Sequence, residues 1–276
     1  MGCCCGKGVP DRWSFGVVLP EGFVRLTETT DKALVAKAQE CAALAFAGSK
    51  TTAPEPGISW SLDPMASGED PCGPLMEDPS QERIDAFRWI IKWEFAFYMR
   101  HNAAFALVEG DDVQGVMLCV PPNDSNAHEA GYCTILKTIS KTGGPPKTIT
   151  QAPTKHRLEA VDKAMASLHK RMMDGEHWYV RLLATAPTHQ GKGVGKRILQ
   201  FAVDLADQYP APSYLETAHE AFYEKMGYKT EERVKVEDAS KFPGDVFNGP
   251  HGGDSPISGG IAGMVYRPSA AMRRGA

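Results

Sequence analysis

The sequence predicts an α/β (α+β) domain in which a mixed β-sheet carries helices on both faces. Strand-like segments alternate with helix-like segments, and hairpin patterns occur both early and late in the chain. One segment, 177–185 (HWYVRLLAT), is too apolar for an exposed edge, so it predicts a strand inside the sheet. Hydrophobic residues make up 42% of the 276 residues, which is enough to build a core.

Hydrophobic periodicity and turn residues predict the individual elements. Strands are predicted over 22–27, 103–109, 113–120, 177–185, 213–217, 228–236 and 263–267. Helices are predicted over 31–46, 80–100, 154–173, 193–208 and 219–226. Thr30 is the candidate N-cap of the first helix. The second helix is apolar on two sides, so Trp89, Trp93 and Phe97 either pack in the core or wall a ligand groove.

Segments rich in proline and glycine divide the chain without repeating any unit. We interpret 21–268 as a single domain with loop insertions at about 51–79, 121–153 and 238–260. Residues 1–20 and 269–276 are interpreted as flexible tails, because neither shows apolar periodicity.

Charge and apolar patterning exclude several classes of protein. The net charge is -4 and the basic residues are dispersed, so nucleic-acid binding is not expected. No run approaches the roughly 18 apolar residues of a membrane-spanning helix, and no secretory signal is visible. Seven cysteines without C-x-x-C spacing predict neither a metal site nor a disulfide framework, which favours a cytoplasmic location.

Residues 183–199 (LATAPTHQGKGVGKRIL) form the candidate ligand-binding segment, in which a buried strand ends and a helix begins. Gly191, Gly193 and Gly195 alternate directly before and into that helix. Glycines allow positive φ, which turns successive N–H groups toward one point, and the helix start adds unpaired amides and a positive dipole end. This pattern predicts a cradle for a pyrophosphate group.

Two common phosphate loops do not fit this segment. A Walker A loop requires a glycine where Gln190 stands and a Ser or Thr where Arg197 stands. The dinucleotide pattern G-x-G-x-x-G fails because the third glycine comes one residue early. What remains is Q-x-x-G-x-G, formed by Gln190, Gly193 and Gly195.

This signature resembles the pyrophosphate loop of the GNAT superfamily of N-acetyltransferases. L-x-T-x-P before the loop (Leu183, Thr185, Pro187) and LETAHEAFYEKMGY at 215–228 match further family motifs. HWYV and LET are similar to the puromycin-acetyltransferase-like branch. Thr185 stands where a typical member has Val, and the Asn that the family frequently has after the strand at 213–217 is not evident.

The resemblance implies a mostly antiparallel sheet, acetyl-CoA as co-substrate and no metal. It further implies that the strand at 177–185 separates from the strand at 213–217 and that the pantetheine arm of the cofactor lies in the gap between them. Backbone groups of Ala184 and Thr185 would then bond the pantetheine amides and polarise the thioester carbonyl. The implied cofactor-binding residues are Leu183, Ala184, Thr185, Gln190, Gly191, Lys192, Gly193, Val194, Gly195 and Lys196.

Proton transfer requires an acid and a base in the same site. Tyr223 matches the family's general acid, while the alternative is a tyrosine that only packs on a short helix. The strand at 177–185 lacks the carboxylate that some members of the family have there. Glu216, in the strand at 213–217, is therefore the best candidate base. A half-exposed carboxylate paired with a lysine is the other interpretation of Glu216. His177 is a further candidate base, or a strand-end residue that packs beside Trp178.

Three functions therefore stay open. The leading hypothesis is acetylation of a primary amine on a small molecule by direct attack on the thioester. The others are protein or peptide N-acetylation, and CoA-binding regulation without turnover.

The N-terminal sequence MGCCCGKG suggests lipidation. Gly2 is the residue that myristoylation requires, and Cys3–Cys5 are candidates for palmitoylation. Gly6 departs from the Ser or Thr that the acceptor pattern prefers, so a tail with incidental cysteines is the alternative. Lipidation would place the enzyme at a membrane surface.

Overall fold

The computed structural model describes residues 13, 16–62, 74–122, 124, 132–234, 236 and 260–268. The strands in these residues are β1 (Phe23–Leu26), β2 (Ala104–Glu109), β3 (Asp112–Val120), β4 (Trp178–Thr185), β5 (Ser213–Thr217), β6 (Lys229–Val234) and β7 (Ile261–Tyr266). The helices are α1 (Lys32–Ala47), α2 (Pro56–Leu62), α3 (Gln81–Tyr98), α4 (Tyr132–Thr142), α5 (Lys147–Thr150), α6 (Ala152–Met172), α7 (Val194–Gln208) and α8 (Glu220–Glu224).

The seven strands form one sheet in the order β1-β2-β3-β4-β5-β7-β6. Neighbouring strands are antiparallel except β4 and β5, which are parallel because helix α7 crosses over between them. Helices α1, α2, α3 and α6 cover one face of the sheet, whereas α7 and α8 cover the other. This arrangement confirms the predicted mixed, mostly antiparallel sheet with helices on both faces.

The apolar side of helix α7 packs against the sheet. Val194, Ile198 and Leu205 are buried against the sheet, where α7 contacts strands β3, β4 and β5. Val194 is the first residue of the helix, so its burial fixes the N-terminus of α7 beside the end of β4. The glycine loop that precedes α7 therefore lies where the parallel strands β4 and β5 separate.

Two of the predicted loop insertions contain helices, so the loop assignment is wrong there. Helix α2 lies inside 51–79, and helices α4 and α5 with the start of α6 lie inside 121–153. Prolines begin these helices instead of interrupting them: Pro56 is the first residue of α2, and Pro146 is the N-cap of α5. Proline suits a helix start because its missing N–H would have no intrahelical partner there.

Two smaller predictions are also wrong. Asp31, not Thr30, caps α1, since Asp31 Oδ1 accepts the N–H groups of Ala33 (2.9 Å) and Leu34 (3.1 Å). Within the predicted tail 1–20, Trp13 is 3% exposed and packs its ring in the core. A single large aromatic ring gives no periodicity, so the sequence pattern could not reveal this contact.

Other predictions fall outside the described residues. These include Gly2 and Cys3–Cys5, the tail 269–276, and the insertion 238–260 apart from Gly260. Among the helices that are described, none has the length and apolar character to cross a membrane.

Candidate functional site

Strands β4 and β5 separate soon after they begin. They pair only at Trp178 with Ser213 and at Tyr179 with Tyr214. The β3–β4 register shifts between Leu118 and Cys119, which is a β-bulge that bends β4 at this point. From there to Thr185, β4 pairs with β3 along one edge and leaves its other edge without a ladder to β5. Backbone N–H and C=O groups of alternate β4 residues therefore face an open gap.

The glycine loop follows β4 and leads into α7. Gly191 (φ 73°) and Gly193 (φ 84°) adopt left-handed backbone conformations, as predicted for a loop that gathers amide groups. Gly195 differs, because it is helical and a Cβ there would lie 3.1 Å from Thr185 Oγ1. Its lack of a side chain serves close packing between α7 and β4, not a positive φ.

The N-terminus of α7 has the properties of an anion site. No side chain caps this helix start within the described residues, and its first turn contains no acidic residue. The orphan amides and the dipole of a helix this long attract a phosphate group. Lys192 and Lys196 are exposed on either side of Gly193. Gln190 Nε2 donates a hydrogen bond to Thr185 O at 3.3 Å, and this bond holds the loop against the end of β4.

A cavity of about 430 Å³ opens from the gap between β4 and β5. Helices α1, α3 and α6 and the start of α2 form its other walls. Six of the predicted site residues line it: Leu183, Ala184, Thr185, Gln190, Glu216 and Tyr223. Gly193 and Lys196 line a separate surface groove with Arg197, on the outer side of the glycine loop. The remaining predicted residues, Gly191, Lys192, Val194 and Gly195, lie in the loop and first turn between these two spaces.

The carboxyl group of Glu216 is buried, with only 2% of the side chain exposed. Burial raises its pKa to about 7, although the positive Arg181 and the phenols of Tyr179 and Tyr214 counteract part of that rise. Glu216 Oε1 makes no hydrogen bond with the described residues. The prediction of a half-exposed carboxylate paired with a lysine is therefore wrong, and the group has the pKa of a base that works near neutral pH.

Two histidines form a chain that ends at Glu216. His177 Nδ1 lies 2.7 Å from Gly175 O, and His177 Nε2 lies 2.7 Å from His169 Nε2. A carbonyl only accepts, so His177 Nδ1 carries a proton, and burial lowers the pKa of His177, which keeps the ring neutral. His169 Nε2 is then the donor to His177, and His169 Nδ1 lies 3.8 Å from Glu216 Oε1. His177 is thus not itself in the cavity but orients the histidine beside Glu216.

Tyr223 reaches the cavity from helix α8, across from β4. Burial raises its pKa to about 12, and a hydrogen bond with Thr217 lowers it in part. The phenol therefore stays protonated throughout the neutral range, as a proton donor must. The aromatic rings of Phe222 (5.0 Å between centroids) and Tyr228 (6.1 Å) hold its ring edge-on.

Sequence reasoning missed four charged residues in the cavity wall: Glu55, Glu94, Asp162 and Arg181. Arg181 donates to Glu94 through two nitrogens, at 2.8 and 3.2 Å. A signal for this pair existed, because Arg181 is a lone charge in a very apolar strand and Glu94 interrupts the stripe between Ile91 and Phe95. Glu55 accepts the N–H groups of Gly57 (3.1 Å) and Ile58 (2.6 Å) at the start of α2, and burial raises its pKa.

The aromatic stripe of α3 does not face the cavity. Trp89 Nε1 donates to Gly143 O at 3.0 Å, and Trp93 stacks on Phe97 with centroids 5.9 Å apart. The packing interpretation of these residues is therefore favoured, and Ile90 and Glu94 line the cavity instead. Among the described residues, no group of three or more His, Cys, Asp or Glu side chains could hold a metal ion.

Comparison with known proteins finds similarity to one family in the part of the chain that carries the glycine loop. Residues 158–230, which span the end of α6, the glycine loop and the start of β6, match the family model described as acetyltransferase (GNAT) domain. An uncharacterized N-acetyltransferase of Schizosaccharomyces pombe is 43% identical over 54 residues, 19% of this chain and 23% of that protein. The match thus spans about a quarter of the length of this curated relative.

Two solved structures are similar over most of their lengths. One is arylalkylamine N-acetyltransferase 2 from Aedes aegypti, at 12% identity over 90% of this chain and 98% of that chain, with a TM-score of 0.49. The other is histone acetyltransferase HPA2 and related acetyltransferase from Corynebacterium glutamicum, at 15% identity over 90% and 96%, with a TM-score of 0.46. Because both TM-scores lie below 0.5, the similarity to a family rests on the match over residues 158–230. This segment, which contains the glycine loop, β5 and Tyr223, is similar to the GNAT acetyltransferase domain.

Proposed function

We propose that this chain is an acetyl-CoA-dependent N-acetyltransferase that moves an acetyl group to a primary amine of a small molecule. The observation that carries the proposal is the closeness of two kinds of site. The cavity that contains Glu216 and Tyr223 opens from the β4–β5 gap, and the glycine loop and the uncapped N-terminus of α7 follow directly on the end of β4. The HWYV and LET motifs support a further proposal, membership of the puromycin-acetyltransferase-like branch.

The chain's own groups fit the parts of acetyl-CoA. Amide groups of Gly193–Lys196 at the start of α7 would hold the pyrophosphate, and the free edge of β4 at Leu183–Thr185 would bond the pantetheine amides. Bound acetyl-CoA supplies the activated thioester. A backbone N–H of the β4 edge would polarise the thioester carbonyl and stabilise the charge that develops on its oxygen.

Glu216 and Tyr223 would handle the protons. An amine enters water-exposed sites as an ammonium ion, and it must lose a proton before its lone pair attacks the carbonyl carbon. The Glu216 carboxylate would accept that proton, and the unprotonated His169 Nδ1 lies 3.8 Å from its Oε1. The Tyr223 phenol would donate a hydrogen bond to the sulfur as the C–S bond breaks. The nitrogen then loses its second proton, the CoA thiolate takes up one proton, and the products are an N-substituted acetamide and free CoA thiol.

An assay of thiol release tests the proposal against its alternatives. Purified protein is incubated with acetyl-CoA and a panel of small primary amines or peptides, and free thiol is measured. We expect thiol release that depends on a small amine. Release only with peptides would favour protein N-acetylation, whereas acetyl-CoA binding without any release would favour a regulatory protein.

The glycine loop yields a prediction about cofactor affinity. Gly193→Ala should weaken acetyl-CoA binding at least tenfold, about 1.4 kcal/mol, because alanine disfavours the positive φ that directs the loop amides. Gly195→Ala should do the same, since its Cβ would press on Thr185 and move the helix start. Titration calorimetry gives the dissociation constants.

Gly110→Ala is the matched control. Gly110 also has a positive φ of 60°, and a Cβ added there would meet nothing within 4 Å, but this glycine lies in the β2–β3 turn. Its substitution introduces similar backbone strain and should leave acetyl-CoA affinity unchanged. Parent affinity in folded Gly193→Ala and Gly195→Ala would contradict the assignment of the loop.

The sequence MGCCC supports a proposal about location, namely that myristate on Gly2 and palmitate on Cys3–Cys5 anchor a cytoplasmic enzyme to a membrane surface. Expressed in eukaryotic cells, the protein should appear partly in the membrane fraction. Gly2→Ala should return it to the soluble fraction. An intact mass without a lipid adduct would rule out the anchor.

A further inference from the structure

The cavity combines two separated carboxylates with apolar surface beside them, and this pattern identifies a class of acceptor. We propose that the acceptor is an aliphatic diamine, one amine of which is acetylated beside Glu216 while the second, still charged, is held by Asp162. The inference rests on the proposed function and deepens it, because it names the substrate class of the same site.

The charges in the cavity wall are unbalanced. Four carboxylates line it, those of Glu55, Glu94, Asp162 and Glu216, whereas Arg181 is the one Lys or Arg side chain among the described lining residues. Arg181 is engaged by Glu94 through two hydrogen bonds. Glu55 accepts two backbone N–H groups at the start of α2. Glu216 has hydrogen bonds with Tyr179 and Tyr214 and is the proposed base, so Asp162 remains for a second charge on the ligand.

Glu216 sets the end of the cavity at which the reacting amine binds. Its side chain lines the cavity, is only 2% exposed and has hydrogen bonds with Tyr179 and Tyr214. Burial raises the pKa of Glu216 to about 7, so near neutral pH the carboxylate can take a proton from an ammonium group that enters the cavity.

The geometry of α6 sets the distance to the second charge. Asp162 and His169 are seven residues apart on this helix, which is two turns or about 10 Å along its axis. His169 Nδ1 lies 3.8 Å from Glu216 Oε1 at one end. Asp162 is exposed and lies toward the other end, on the cavity side of the same helix.

The cavity wall beside these two carboxylates contains apolar surface. Met165 lies on α6 between Asp162 and His169, and Leu158, Val161, Ile58 and Ile90 also line the cavity. A chain of methylene groups would be buried there, with favourable transfer from water, while each end remains charged and paired. An acceptor with a charge at one end only would leave Asp162 without a partner from the ligand.

Cadaverine and n-pentylamine test the inference, because they differ chiefly in one terminal ammonium group. We expect kcat/KM for cadaverine to exceed that for n-pentylamine at least tenfold, well above the statistical advantage of two equivalent amines. Asp162→Asn should reduce that preference at least fivefold, and Asp162→Lys should reverse it. Because Asp162 is exposed, added salt should weaken the preference as well.

Glu159→Gln is the control, since Glu159 is an exposed acid on α6 that does not line the cavity. It should keep the parent's preference for cadaverine. Equal kcat/KM for the two amines, or a preference unchanged in folded Asp162→Asn and Asp162→Lys, would overturn the diamine inference and leave the N-acetyltransferase proposal standing. Absence of thiol release with every amine would instead overturn the proposed function itself.

Discussion

We expect Glu216→Gln to lower kcat at pH 8 by about 10²- to 10⁴-fold, the usual range for loss of a general base. Glutamine keeps the shape of the side chain but cannot accept a proton from the attacking amine. The wild-type rate should rise with pH and level off above about 7, because the pKa of Glu216 is raised to about 7 and only the carboxylate is active. The variant should lose this pH dependence.

The same substitution should not weaken the fold. The pKa of Glu216 is raised from 4.5 to about 7 in the folded protein, so the folded state binds a proton more tightly than the unfolded state. The stability that this contributes is present below pH 4.5 and is lost as pH rises through about 7. At pH 8 the buried charge destabilises the parent, and Gln removes that charge.

Melting temperatures distinguish these effects. At pH 8 the Glu216→Gln variant should melt at the same temperature as the parent or a few degrees higher, which corresponds to on the order of 1 kcal/mol. Glu82→Gln, an exposed position in the first turn of α3, should change neither kcat nor the melting temperature. A kcat within threefold of the parent would show that the base lies elsewhere, with His169 the next residue to test.

Local patterns are sufficient to predict the glycine loop and the helix start that follows it. The glycine loop is a run of neighbouring residues, and its conformation follows from the strand end, the glycines and the helix start. The reason for a glycine at position 195 nevertheless differs from the prediction. The contact between Gly195 and Thr185 joins the helix start to the end of β4, and only the packed structure shows how close the Thr185 hydroxyl comes to the Gly195 backbone.

The charged groups in the cavity wall could not be predicted because their contacts are distant in sequence. Arg181 and Glu94 are 87 residues apart, and nothing local to either one identifies the other as its partner. The pKa of Glu216 likewise depends on burial by elements that come from separate parts of the chain. Helix α2 was not predicted because Pro56 and Gly57 are typical of loops, although Glu55 caps the helix that they begin.

Tyr223→Phe should lower kcat at least 10²-fold at neutral pH and leave the KM for acetyl-CoA roughly unchanged. The substitution removes one hydroxyl and keeps the ring that packs on Phe222 and Tyr228. The phenol acts on the sulfur only as the C–S bond breaks, so its loss falls on the transition state and not on substrate binding.

The pKa values define how Tyr223 can act. Its pKa is raised to about 12, whereas a free thiol has a pKa near 8.5, so complete transfer of the phenol proton to a free thiolate is uphill. The benefit therefore arises from a hydrogen bond that strengthens as negative charge develops on sulfur. Because the phenol stays protonated up to about pH 11, the pH–rate profile should show no loss of activity from Tyr223 below that pH.

Tyr228→Phe is the control that separates chemistry from packing. Tyr228 is 2% exposed, and its hydroxyl lies 2.7 Å from Ser213 Oγ, so removal of this hydroxyl leaves a buried serine unpaired. We expect Tyr228→Phe to lower stability by about 1–2 kcal/mol while the folded enzyme keeps normal kcat. Tyr223→Phe should show the opposite balance, a large loss of kcat with a smaller loss of stability, because its hydroxyl bonds Thr217, which is only half-buried. If both variants instead lose stability and keep their turnover, Tyr223 is a packing residue and the proton donor to sulfur is another group.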